Sequence, residues 1–176
     1  MYTIGLTGGI GSGKSYVAKI FNSYGIPSLD TDMVSRNIDT TEILREFGTT
    51  DRKLLADIVF NDPKKLKLLN KITHKQIIAE CRNWLAEKEK ENNFAAIIEA
   101  PLLFESKFNC FCDYVISVVA DLDVRIDRLD GTKVNRLDKQ HDNNFFINNS
   151  DYVIYNNPYN DARLQVDLIY QQLRWV

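Results

Sequence analysis

Apolar residues along this chain keep two rhythms. Unbroken short runs at Tyr2 to Leu6, Ile26 to Leu29, Ala95 to Ile98, Tyr114 to Val119 and Val153 to Tyr155 predict strands. The runs Ala95 to Ile98 and Tyr114 to Val119 are nearly all apolar, as parallel strands covered on both faces require. Elsewhere apolar positions recur every three or four residues. Ser15 to Tyr24 predicts a helix with Val17, Ile20 and Phe21 turned inward, and Asp161 to Trp175, after a cap at Asn160, predicts a closing helix. The long segment between the second and third strands is helical in pattern throughout. It exceeds a simple crossover and predicts a helical lobe standing off the sheet.

Asp62-Pro63 is a strong helix start in that lobe, a capping side chain followed by a proline whose missing N–H costs nothing in the first turn. From there Lys64, Lys67, Lys71 and Lys75 recur at helical spacing, with Leu68, Leu69 and Ile72 on another face. A solvated face opposite a buried one accounts for the stripe; a surface for an anionic ligand is the other reading. The Asn-rich run Asn143 to Ser150 predicts a loop or a weak helix.

The 176 residues are one domain's worth of chain, and 44% hydrophobic with 26% charged residues is the balance of a folded globular protein. Twenty-two basic against twenty-four acidic side chains give a net charge of −2, which excludes a general nucleic-acid binder and makes any phosphate affinity local. Cys81, Cys110 and Cys112 are odd in number and lack zinc spacing, so they read as buried or incidental thiols. The opening residues carry no basic group before Lys14 and are interrupted by glycines, unlike a signal peptide, and no apolar run approaches the roughly 18 residues of a membrane span. A cytoplasmic monomer without membrane or nucleic-acid partners is the expectation.

Gly8-Gly9-Ile10-Gly11-Ser12-Gly13-Lys14-Ser15 satisfies G-x-x-x-x-G-K-S between a predicted strand and a predicted helix. Glycines let successive N–H groups turn toward phosphate oxygens, and the helix N-terminus adds partial positive charge. Lys14 is the candidate for the β- and γ-phosphates, and Ser15 for Mg²⁺. Glu99, directly after the third strand, stands at the carboxyl edge where such sheets bind ligands, and could hold the metal through water; an incidental edge carboxylate is the plain alternative. Asp30 and Asp32 follow the second strand. If the chain stays extended they aim to one side, where one could accept the proton of an attacking hydroxyl; otherwise both merely cap a helix starting near Met33. Asn135-Arg136-Leu137-Asp138 superficially suggests a guanine-reading motif, but no apolar strand precedes it.

These residues, taken together, resemble the dephospho-coenzyme A kinase family. Ile4-Gly5-Leu6-Thr7 before the phosphate loop, Asp30-Thr31-Asp32 with Arg36, Phe47-Gly48, Asp51-Arg52-Lys53-Leu54, Val59-Phe60, His74, Pro101-Leu102-Leu103-Phe104-Glu105, Cys112-Asp113, Gln140 and Asp151 to Asn156 fall in the family's order. The resemblance implies an α/β, three-layer P-loop kinase fold with a parallel sheet of about five strands, an inserted helical acceptor-binding lobe and a short lid. It also implies a single domain over 1–176, with a nucleotide-binding core at 1–36 and 94–176, the acceptor lobe at 37–93 and the lid at 128–150. The activity implied is transfer of the ATP γ-phosphoryl to the ribose 3′-hydroxyl of dephospho-CoA, with Mg²⁺.

By the same resemblance Asp32 is the general base, with Lys14 and Arg136 acting on the transferring phosphoryl. ATP lies on Gly8, Gly9, Ile10, Gly11, Ser12, Gly13, Lys14, Ser15 and Tyr16. Asp30, Asp32, Arg36, His74, Leu103 and Glu105 face the acceptor, and Ser15 and Glu99 face the metal. For Leu102, Leu103 and Phe104 core packing is the competing account, and for His74 a structural hydrogen bond. The lid looks about seven residues short, although Lys133, Arg136 and Gln140 share a helical face. Lys75, Ile78 and Tyr16 also depart from the family's usual residues. A nucleoside or deoxynucleoside monophosphate kinase and a non-catalytic nucleotide-binding module with a degenerate lid are the competing functions.

Overall fold

A computed structural model of the chain describes residues 1–60, 62–129, 131, 134, 137 and 140–175. The chain falls into two compact units, one formed by Met1–Asp30 with Leu85–Val176, the other by Thr31–Trp84. The second unit thus begins and ends earlier than the 37–93 expected for the lobe. The reasons are local: a helical turn starts at Thr31, and one helix runs unbroken through Pro63–Lys90.

In the first unit the strands are β1 (Tyr2–Thr7), β2 (Ser28–Asp30), β3 (Ala95–Glu99), β4 (Tyr114–Val119) and β5 (Tyr152–Tyr155). They form one sheet in the order β2-β3-β1-β4-β5, every pairing parallel. Helices α1 (Lys14–Ser23) and α8 (Ala162–Trp175) cover one face. Val17, Ala18, Ile20 and Phe21 of α1 and Ala162, Val166, Ile169 and Leu173 of α8 pack on Ile4, Leu6, Ala95, Ile97, Ile116, Val118 and Ile154. Those strand residues alternate, as a pleated strand dictates, so the intervening residues point to the opposite face. There Leu103 lies against Gly5, and α7 (Asn143–Asn148) packs on β4. All five residues of β3 are buried, which is why its run is apolar without alternation. Two of the sequence landmarks hold strand beginnings in place: Asp113 Oδ2 accepts from the N–H of Thr3, and Asp151 Oδ2 from that of Val115, each at 2.7 Å.

Several boundaries move. The N–H of Ile26 bonds back to the carbonyl of Phe21, so the chain leaving α1 is still turning and β2 starts at Ser28. Asp161, not Asn160, caps the closing helix, its Oδ1 accepting from the N–H groups of Arg163 and Leu164. The Asn-rich run is helical at Asn143–Asn148 because Asp142 accepts from the N–H of Phe145 at 2.8 Å and Phe146 is buried. Phe104 meets both Phe145 and Phe146.

The second unit carries α2 (Thr31–Val34), α3 (Thr41–Phe47), α4 (Arg52–Phe60) and most of α5 (Pro63–Lys90). Ile43, Leu55 and Ile72 form its small core, with Ile38, Phe47 and Leu69 against it. Asp62 does cap α5, accepting from the N–H groups of Lys64 and Lys65. Lys64, Lys67, Lys71 and Lys75 are all exposed, and Leu68 is exposed too, so the buried stripe is narrower than its spacing predicts. None of the three cysteines is in a disulfide; burial pushes the thiol of Cys81 up to about 12, which leaves it unreactive near neutral pH.

Candidate active site

The phosphate loop bridges β1 and α1, and its shape is set by what surrounds it. Gly13 lies at φ +94°, in the left-handed region, immediately before α1, and no side chain caps that helix. Its first N–H groups are thereby left for a ligand. A Cβ at Gly8 would stand 2.1 Å from the carbonyl oxygen of Val118, and one at Gly13 would stand 2.1 Å from Nδ2 of Asn156. These glycines are therefore demanded by neighbouring protein atoms as well as by backbone freedom.

Lys14 Nζ donates to the carbonyl of Gly8 at 2.9 Å and reaches that of Gly9 at 3.5 Å, strapping the loop across itself. Ser15 Oγ donates to Oε1 of Glu99 at 2.6 Å, joining the start of α1 to the end of β3. Glu99 is buried, at the strand edge where its sequence position puts it. Asp30 closes β2 directly beside Glu99 in the parallel register. Tyr16 sits in the first turn of α1 and is 55% exposed.

The far side of the loop is held by residues that the motif does not include. Asn156 Nδ2 donates to the carbonyl of Ser12 in a buried bond of 2.8 Å. Arg128 reaches the carbonyls of Gly11 and Ser12 at 3.3 Å each and that of Asn156 at 2.8 Å. Arg125, on α6 (Leu122–Asp127), donates from Nε to the carbonyl of Ile10 at 2.8 Å. Gln140 Oε1 accepts from the N–H of Ile10 at 2.7 Å. From the sequence Gln140 is a family landmark on a face with Lys133 and Arg136 that could clamp phosphates, Asn156 is a landmark only, and Arg125 has no role. The available signal was two arginines three apart, one helical turn after an apolar strand, on the loop's side of the sheet.

Other expected residues are placed as follows. Leu103 is fully buried against Gly5, its carbonyl accepting from the N–H of Phe108, so its side chain offers no surface to an acceptor. Glu105 is exposed, with Oε1 at 3.5 Å from Nε2 of His141, whose ring stacks on Phe145. In the other unit, Asp32 is an exposed residue of the first turn of α2, and Arg36 is exposed just after that helix. Helix starts at Thr31, so the extended backbone that would aim Asp30 and Asp32 to one side is absent. His74 is half-buried on α5, and burial pushes its imidazole below the ordinary range, favouring the neutral ring. Arg136 and Lys133 lie outside the described residues. Among the described residues no group of three or more His, Cys, Asp or Glu side chains is arranged to hold a metal by itself. Ser15 and Glu99 nonetheless bring two hard oxygen donors together beside the phosphate loop, a set that suits a cation sharing its coordination with phosphates and water.

Known proteins resemble this chain over most of its length. The profile of the dephospho-CoA kinase family matches residues 2–159. A dephospho-CoA kinase of Fusobacterium nucleatum is 37% identical over 175 residues, covering 88% of this chain and 89% of its own. Among solved structures, one from Thermus thermophilus superposes with a TM-score of 0.82 at 29% identity, over 99% of this chain and 98% of that one. A dephospho-CoA kinase from Campylobacter jejuni gives a TM-score of 0.69, also at 29% identity, over 97% and 96% of the two chains. A family profile matched over residues 2–159 and a relative 37% identical across most of both chains have one reading: the chain belongs to the dephospho-CoA kinase family.

Proposed function

We propose that this chain transfers the γ-phosphoryl group of ATP to the ribose 3′-hydroxyl of dephospho-CoA, the step that completes coenzyme A. The observation that carries the reading is the open cradle, a left-handed Gly13 feeding an uncapped α1 beside the Ser15–Glu99 pair. In such transfers the protein does little covalent chemistry and acts by placing charge and holding geometry. Residues Gly8 to Ser15 grip the triphosphate through main-chain N–H groups, Lys14 neutralises the β- and γ-phosphates, and Tyr16 borders the nucleotide. Ser15 and, through water, Glu99 would hold Mg²⁺, which offsets charge on the phosphate oxygens.

On the acceptor side Asp32 takes the proton of the attacking hydroxyl, with Asp30, Arg36, His74 and Glu105 around the substrate. A neutral His74 acts there as a hydrogen-bond partner rather than as a cation. Arg136 completes the charge on the transferring group. The segment around Gln140 serves as the lid, and its bond to Ile10 supports that assignment. Among the described residues no helix is long and apolar enough to cross a membrane, and the reading keeps the enzyme a cytoplasmic monomer.

A coupled ADP-release assay tests the proposal. ADP should appear with dephospho-CoA and not with nucleoside monophosphates. Release with the monophosphates instead makes the chain a nucleotide kinase, and ATP binding with no acceptor-dependent release makes it a non-catalytic module. Asp32→Asn should lower kcat about a hundredfold, the low end for removing a general base, with ATP affinity unchanged. An Asn variant that turns over like the wild type removes Asp32 from the mechanism.

A further inference from the structure

The side chain of Arg125 is out of place by ordinary rules. An arginine is rarely buried unless paired, yet Arg125 is 6% exposed. Among the described residues its guanidinium forms no ion pair, and its one side-chain hydrogen bond goes from Nε to the carbonyl of Ile10. Burial also pushes the guanidinium down from its ordinary pKa, the direction of an uncompensated buried charge. The packing is close on two sides. A Cβ at Gly9 would stand 2.3 Å from Nη2 and 2.7 Å from Cζ, while one at Gly11 would stand 2.8 Å from the Arg125 carbonyl oxygen. The guanidinium therefore lies directly against the phosphate loop at Gly9 and Ile10.

We propose that Arg125 is a positioning residue for ATP: it fixes the Gly9 to Gly11 stretch through Ile10 and sets a buried positive charge behind the cradle, whose counter-charge is the arriving triphosphate. The inference rests on the ATP-binding reading above. A cation buried without a partner is costly in the empty protein and relieved when an anion arrives. Arg125 thereby raises affinity for the charged nucleotide. It acts through the loop and its field rather than by direct transfer chemistry, so its effect falls on KM for ATP more than on kcat.

The test compares Arg125→Gln, Arg125→Lys and Gly9→Ala with the wild type by calorimetric ATP binding, steady-state kinetics and thermal unfolding with and without ATP. Arg125→Gln should weaken ATP binding about tenfold and leave kcat at saturating ATP within about threefold. The rise in Tm on adding ATP should shrink, and the salt dependence of binding should flatten because one charge is gone. Arg125→Lys, which keeps the charge and loses the planar fork, should fall between wild type and Gln. Gly9→Ala pushes a methyl group into the guanidinium and should weaken ATP binding in the same direction. Adding Gly9→Ala to Arg125→Gln should then cost little more, so the two changes are strongly non-additive.

If Arg125→Gln does not fold, Arg125→Met, which keeps the packed stem and removes the charge, carries the test with the same readouts. Wild-type ATP affinity in Arg125→Gln, or in Arg125→Met where the Gln variant does not fold, overturns the inference and leaves the kinase reading standing. Strictly additive losses overturn it as well. A wild-type chain that fails to bind ATP overturns both readings.

Discussion

Replacing Lys14 with methionine is expected to lower kcat/KM about a thousandfold, the upper range for removing one preorganised charge from a reacting group. In the structure the ammonium straps the loop by donating to the carbonyls of Gly8 and Gly9. A triphosphate in the cradle offers the same group stronger, charged acceptors than those two carbonyls. Methionine keeps most of the stem and its packing but neither charge nor donor. Two partly exposed hydrogen bonds disappear, a loss on the order of 1 kcal/mol, and the Tm should fall by no more than about 4 °C. Lys14→Arg should not restore activity, because a broad planar fork does not substitute for a compact point charge in a closed loop. ADP-release kinetics beside a melting curve check this, and a methionine variant within tenfold of wild type would remove Lys14 from the transition state.

How much of this was readable from the letters depends on which physics decides each feature. Local rules gave the framework. Continuous apolar runs marked buried parallel strands, and Asp62-Pro63 marked the start of α5, because both signals are complete within a few residues. The phosphate loop was equally legible, since its glycines, lysine and serine stand in one short stretch. Tertiary contacts decided the rest. Nothing in the sequence around Asn156 says that its amide reaches the carbonyl of Ser12, far away in the chain. Arg125 and Arg128 carry no motif, and their roles come from where α6 begins after β4. Leu103 failed as an acceptor contact for a related reason: a signature segment can be distinctive because it packs, and this leucine fills the space that Gly5 leaves. The argument from the two-residue spacing of Asp30 and Asp32 failed locally, because helix begins at Thr31 and ends the alternation on which it relied.

Gly13→Ala is the variant expected to damage stability most while also abolishing ATP binding. Alanine at φ +94° costs about 1 kcal/mol in backbone strain. Its methyl group would fall 2.1 Å from Asn156 Nδ2, and Asn156 has little freedom to retreat. The backbone of Asn156 is held by its N–H to the carbonyl of Val119 at 2.8 Å and by Arg128 on its own carbonyl. The side chain must therefore swing away, leaving the carbonyl of Ser12 with only the longer contact from Arg128 and the buried amide of Asn156 without its acceptor, a penalty of about 2 kcal/mol. The sum, about 3 kcal/mol, corresponds to a Tm roughly 6–12 °C lower for a chain of this size. ATP affinity should fall more than a hundredfold, because the displaced residue is the one that turns the N–H groups of α1 toward the ligand. Gly25 supplies the internal control. It lies at φ +79°, with no atom within 4 Å of where its Cβ would stand, so Gly25→Ala carries the backbone strain alone. Its Tm should drop by only about a third as much, with ATP binding intact. Equal losses at the two glycines would mean that strain, and not the Asn156 brace, governs the loop.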